Sequence, residues 1–312
     1  MADDRLIQAE GIHRYYGTHC AIKAVDIHLR KGEVLGLLGP NGAGKSTMMQ
    51  ILTGNLAPSQ GEIKIKGIDL LAQAQAAKQH IGYLPEHPPI YPDMTVDEYL
   101  SYCAKLHNIA PKQQKSAREK AKERCGLDEV GYRLIANLSK GFQQRVGIAQ
   151  AIIHTPDIVI LDEPTVGLDP IQIQEIRHLI RELGQDHSVI LSTHILPEVQ
   201  AVCDRVQIIH QGHTVFDDSL KNLEQRHSQP ILISQFSQAI DIHLLMALTH
   251  VNAVDEHDHH CYHIQHTVGE NIIPAICRLA QQYEWEIQAL TPQSTTLEHI
   301  FMHLIHGEEQ AT

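Results

Sequence analysis

No run of this 312-residue chain approaches the ~20 apolar residues that span a bilayer, so any membrane role has to come through a separate chain. Its six cysteines lie far apart with no C-x-x-C pair, and the acidic Asp3 and Asp4 stand where a secretory leader carries basic residues. The expected setting is a reducing cytosol, with free thiols serving as small core residues. Positive charge is also scarce: 25 Lys and Arg face 37 Asp and Glu, a formal net charge of −12, and after residue 224 only two Arg stand against ten acidic residues. A surface of that sign excludes a nucleic-acid partner, whose phosphates demand a basic one.

What is present begins with Gly39, Pro40, Asn41, Gly42, Ala43, Gly44, Lys45, Ser46 and Thr47, reading GPNGAGKST. The apolar run Val34 to Leu38 before it reads as a buried strand, and Met48 to Leu52 after it continues as a helix. Strand, glycine loop and helix in that order form a polyphosphate site. The glycines remove Cβ atoms so that backbone N–H groups converge on phosphate oxygens, and the helix adds its positive end. Lys45 is placed to reach the β- and γ-phosphates and Ser46 to ligate Mg²⁺. A second string, IVILDEPTVGLD, ends at Asp169. Its apolar strand delivers Asp162 and Glu163 to the carboxyl edge of a parallel sheet, where ligands of open α/β sheets lie. Asp162 suits Mg²⁺, and Glu163 suits orienting or deprotonating an attacking water.

A third string, LSKGFQQR from Leu138 to Arg145, completes a set that resembles the ATP-binding cassette superfamily. The resemblance spans roughly residues 5 to 225 in five motifs. It implies ATP and Mg²⁺ as ligands, and Lys45, Glu163 and His194 as the catalytic set, His194 being the switch histidine of STH. It also implies that Tyr16 stacks on adenine and that Ser139 and Gly141 of one subunit contact the γ-phosphate held by another. Asp169 falls in the loop that communicates across the dimer. Two positions depart from the pattern. Lys140 and Phe142 replace the second glycine and the glutamine of the usual signature, a variant similar to that of ABC-2-type exporters and gliding-motility ATPases. Glu86 stands where the family carries a glutamine that contacts Mg²⁺; a carboxylate still ligates the metal but adds negative charge beside the γ-phosphate.

The implied fold is α/β: a P-loop ABC ATPase core over residues 1–225, with an antiparallel β subdomain and a helical signature subdomain at about 86–155. Within the helical part, Lys105 to Arg145 carries ten Lys and Arg against four acids, either a solvated face or one meeting anionic lipid or an acidic permease loop. Residues His87 to Tyr102, opening with Pro88, Pro89 and Pro92, match the segment that meets a permease in exporters of the family, although ordinary loop geometry explains the prolines equally well. Residues 226–312 read as βαββαβ, a small ferredoxin-like α+β accessory domain ending in a helix from Thr296. His257, His259, His260, His263 and His266 cluster on its expected hairpin, without a fixed metal-ligand geometry.

The resemblance therefore implies an ATP-hydrolysing subunit that pairs as a homodimer, or with a second ATPase subunit, on binding ATP. It would sit peripherally on the cytoplasmic face of the plasma membrane and power a separate integral-membrane permease of the ABC-2 exporter type. The alternative is an ABC ATPase that drives a membrane protein mechanically in cell-envelope work, without cargo. A translation or DNA-repair ATPase is disfavoured by the single phosphate loop and the lack of a heptad run.

Overall fold

Strands β1 (Arg5–Tyr16) and β2 (His19–Arg30) pair antiparallel, with Tyr16 opposite His19 across the turn at Gly17. The computed structural model describes residues 4–227, 230–258, 260–267, 269–293 and 301. The chain continues through β3 (Val34–Leu38), α1 (Lys45–Leu52), β4 (Gln60–Ile65), β5 (Ile68–Asp69), α2 (Ala74–Lys78) and β6 (Ile81–Leu84). Helices α3 (Val96–Leu106), α4 (Pro111–Cys125) and α5 (Lys140–Ile152) follow. Then come β7 (Ile158–Asp162), α6 (Pro170–Asp186), β8 (Ser188–Thr193), α7 (Leu196–Val202), β9 (Arg205–His210) and β10 (His213–Ser219). Two compact units divide between Leu220 and Lys221, at the head of α8 (Leu220–His227).

In the first unit β3, β6, β7, β8 and β9 run parallel in a six-stranded sheet of order β10-β9-β3-β8-β7-β6, and β10 closes one edge antiparallel. The apolar runs Val34 to Leu38 and Ile158 to Leu161 are buried throughout because both faces of the sheet are covered. Leu35, Leu37, Ile158, Ile160 and Ile190 enter a core shared with Met48, Ile51 and the four-stranded sheet β2-β1-β4-β5. Val159, Leu161, Val189 and Leu191, one residue out of phase, enter a second core with Leu100, Val146 and Ile180. Alternation along each strand thus fastens the antiparallel β part to one face and the helical part to the other.

The helical part has clear local causes. Thr95 and Glu98 form a capping box that starts α3, and Pro111 at the first position of α4 costs no hydrogen bond there. The segment His87 to Tyr102 is loop through its prolines and helix from Val96 onward. Of the basic residues expected on this face, Arg118 and Lys122 are engaged by Asp97 and Glu119, Arg124 by Asp186 and Arg145 by Glu175, which reduces the free positive surface. The thiols also differ from expectation. Cys103 and Cys125 are buried, Cys277 is exposed and the other three are half-buried.

The second unit contains β11 (Ile231–Phe236), α9 (Ile242–Met246), β12 (Val251–Asp258), β13 (Cys261–His266), α10 (Ile273–Gln282) and β14 (Ile287–Gln293). Its sheet, all antiparallel in the order β12-β13-β11-β14, has ferredoxin-like topology. Leu232, Phe236, Tyr262 and Ile264 face a core with Leu245 and Ile276 from the helices. The expected helix from Thr296 lies outside the described residues, apart from the helical Phe301. Rings of His257 and His263 stack at 4.6 Å, and no group of three or more potential metal ligands occurs among the described residues.

Candidate functional site

The loop from Gly39 to Gly44 joins β3 to α1 at the carboxyl edge of the parallel sheet. Its glycines are required for different reasons. Gly42 and Gly44 have left-handed φ of 80° and 107°, a region favourable only to glycine. A Cβ on Gly39 would overlap the Ile209 carbonyl oxygen, and one on Gly44 would lie 2.9 Å from the Ala21 carbonyl oxygen. Gly39 and Gly44 thus make room for neighbouring protein backbone as well as for an anion. The N-terminus of α1 has no side-chain cap, as suits a helix end whose N–H groups are to serve an anion.

Lys45 is almost fully buried. Its Nζ donates to the Gly39 carbonyl at 2.8 Å and the Pro40 carbonyl at 3.3 Å, and lies 3.4 Å from Glu163 Oε1. Glu163 Oε2 in turn meets His194 Nδ1 at 2.9 Å. Lysine, carboxylate and imidazole thus form one connected line along the floor. Glu163 has a left-handed φ of 49°, costing a non-glycine residue roughly 1–2 kcal/mol, and its N–H donates to the Ser192 carbonyl at 3.0 Å. Asp162, beside it on β7, is 3% exposed. Burial raises its pKa, hydroxyls of Ser192 and Ser46 oppose the rise, and the charges of Glu163 and Glu86 add to it. Its Oδ1 is buried without a hydrogen-bond partner.

A cavity of about 550 Å³ opens over this floor, lined by Asn41, Gly42, Gly44, Lys45, Ser46 and Thr47 together with Tyr16, Glu86, Glu163 and His194. Gly39, Pro40 and Ala43 lie behind the lining: Ala43 is buried, and its carbonyl accepts from Gly212 N at 3.0 Å. Ser139 and Gly141 are not in this cavity. Ser139 caps α5, accepting from Phe142 N at 3.4 Å, and Gly141 packs against the Gln172 side chain. Lys140 is exposed and lies across Gly167, in the loop that precedes Asp169. Asp169 caps α6 through Gln172 N at 2.9 Å.

Two lining residues, His19 and Ala21, carry no motif, and a third, Val166, lies in the second string without having been singled out. Only the pairing of His19 with Tyr16 across the β1–β2 turn could have marked the first. Arg14 was missed too. Its guanidinium lies 4.8 Å from the Tyr16 ring centroid and donates to the Ala57 carbonyl at 3.0 Å, which steadies an otherwise exposed aromatic.

An unpartnered buried carboxylate oxygen near a serine hydroxyl and a second acidic side chain is a donor set that fits a hard divalent cation. The cradle in front of it fits a polyphosphate. Residues 22–166 match the model of the family described as ABC transporter. The linearmycin resistance ATP-binding protein LnrL of Bacillus subtilis (strain 168) is 32% identical over 96% of this chain and 98% of its own length. The bacitracin transport ATP-binding protein BcrA of Bacillus licheniformis is 30% identical over 97% and 98%. Among solved structures, an ATP-binding subunit of an ABC transporter superposes with a TM-score of 0.64 at 28% identity, covering 71% of this chain and 92% of its own. Because relatives of this kind match the chain from end to end, and its nucleotide cradle is that of the same fold, it belongs to the ATP-binding proteins of the ABC transporter family and is an ATPase.

Proposed function

We propose that this chain powers a separate membrane permease of the ABC-2 exporter type by closing and reopening a two-chain ATP sandwich. The observation that carries the reading is the line from Lys45 through Glu163 to His194 across the floor of the phosphate cradle. The adenine stacks on Tyr16, the loop N–H groups and Lys45 take the phosphates, and Glu163 orients and deprotonates the attacking water while His194 steadies it. Magnesium bound by Ser46, Asp162 and Glu86 would neutralise phosphate charge. Ser139 and Gly141 lie away from the chain's own cavity, which supports their acting on the nucleotide of another copy, so that each γ-phosphate also meets Ser139 of the partner subunit. Closure then requires ATP, and hydrolysis releases it.

No helix among the described residues is long and apolar enough to cross a membrane. A peripheral position on the cytoplasmic face, held there by the permease, is supported by the relative named as a bacitracin transport ATP-binding protein. Relatives named for linearmycin resistance and bacitracin transport support an antibiotic-like cargo. The accessory unit is proposed to serve dimer contact or regulation. Affinity purification from detergent-solubilised membranes tests the reading: a polytopic protein in near-equal amount is expected. Recovery of soluble partners alone, or of a single-pass envelope protein, would overturn the permease assignment and leave the ATPase in place.

A further inference from the structure

Behind the cavity lies a carboxylate that contacts no part of it. Glu198, in α7, is 1% exposed. Its Oε2 accepts from Thr193 Oγ1 at 2.6 Å and its Oε1 accepts from Thr165 Oγ1. Both threonines are buried as well, at 0% and 3% exposed, and Thr193 Oγ1 also accepts from Ile195 N at 3.1 Å. Burying a carboxylate is costly unless its lone pairs are satisfied, and here each oxygen takes one hydroxyl.

The chain positions of the two threonines give the arrangement its meaning. Thr165 follows Glu163 by two residues, and Thr193 immediately precedes His194. Glu163 and His194 touch at 2.9 Å on the cavity side, and Glu198 joins the same two segments on the buried side. The circuit runs from Glu163 through Thr165, Glu198, Thr193 and His194 back to Glu163. It encloses the left-handed turn at Glu163, a conformation that persists only where surrounding structure over-determines it.

We infer that Glu198 is a positioning residue for ATP hydrolysis, one that fixes Glu163 and His194 relative to each other by clamping Thr165 and Thr193. The inference rests on Glu163 being the group that orients the attacking water. Nucleotide binding relies on other elements, namely the glycine loop, Lys45 and Tyr16. Loosening the clamp therefore weakens stabilisation of the transition state more than ground-state binding.

The test uses the full chain with Thr165→Val and Thr193→Val, which keep side-chain shape and lose the hydroxyl, beside Thr165→Ser and Thr193→Ser, which keep the donor. Each valine variant is expected to lose about tenfold in kcat with KM for MgATP within about twofold of the parent, and each serine variant to recover most of the rate. Since the circuit acts as a unit, the double valine variant loses less than the product of the two single losses. Glu198→Gln, of nearly the same volume, retains one acceptor oxygen and gives an intermediate kcat at unchanged KM. Thermal melts show whether each variant is folded, and if one valine variant is not, the glutamine variant supplies the same comparison. A folded valine variant with parental kcat, a KM that rises in step with the fall in kcat, or a serine variant as slow as its valine counterpart would each overturn the inference. Glu163→Gln runs alongside: if it hydrolyses ATP at the parental rate, the reading of Glu163 itself fails and takes this inference with it.

Discussion

Glu86 lines the cradle together with Glu163, and the charges of both reach the buried Asp162. The charge of Glu86 contributes to the raised pKa of Asp162, so the same charge opposes the build-up of negative charge on a γ-phosphate. Glu86→Gln should raise steady-state hydrolysis about threefold, equivalent to ~0.6 kcal/mol at the barrier. ATPase assays at saturating MgATP check this, and a rate equal to or below the parent's would remove the charge argument. At this scale the sequence was legible where chemistry is local. Gly42, Gly44, Lys45 and Ser46 adjoin one another in the chain and in the cavity. His19, Arg14 and Glu198 were not legible, because strand pairing and the docking of α7, rather than the motifs a few residues away, give them their contacts.

Among the elements, the closest packing holds the helical part to the sheet. A Cβ on Gly82 of β6 would overlap the Ala151 carbonyl oxygen of α5, and one on Gly147 of α5 would lie 2.6 Å from Leu84 Cδ1. Helix and strand therefore approach through two glycines. Gly82→Ala should destabilise the protein by about 1–3 kcal/mol, the usual cost of overpacking a tight interior, measured as a lower urea midpoint with unchanged slope. An unchanged midpoint would mean the interface yields without cost. The elements themselves were readable from period and punctuation. The apolar runs at Val34 to Leu38 and from Ile158 gave β3 and β7, and the accessory sheet followed from its βαββαβ order, whereas the Thr95 and Glu98 box and the role of Pro111 in opening α4 were not read from the sequence. What the pattern missed was extent. The first helix of the βαββαβ order is only five residues, Ile242–Met246, because Asp241 caps it through His243 N at 2.9 Å and Met246 is already exposed.

At the scale of the whole molecule, buried histidines set a limit on acid stability. His154 stacks on His107 at 3.8 Å, its Nε2 lies 3.2 Å from the Ile81 carbonyl, and burial together with His107 lowers its pKa to about 4. Burial also lowers the pKa values of His107 and His187. These groups are neutral in the folded chain and protonate more readily in the unfolded one, so stability is full above the ordinary histidine pKa of about 6.5 and is lost as pH falls towards 4. His154 alone accounts for about 3 kcal/mol of that loss. Urea unfolding at pH 7.5, 6 and 5 checks it, and a midpoint constant across the series would contradict it.

In the proposed sandwich a second copy completes each ATP site and Glu163 empties it. Light scattering on the Glu163→Gln chain tests both parts at once. With MgATP the mass should rise from the 35.0 kDa of one chain to twice that value, and with MgADP it should not. A mass that is the same with either nucleotide would contradict the composite site.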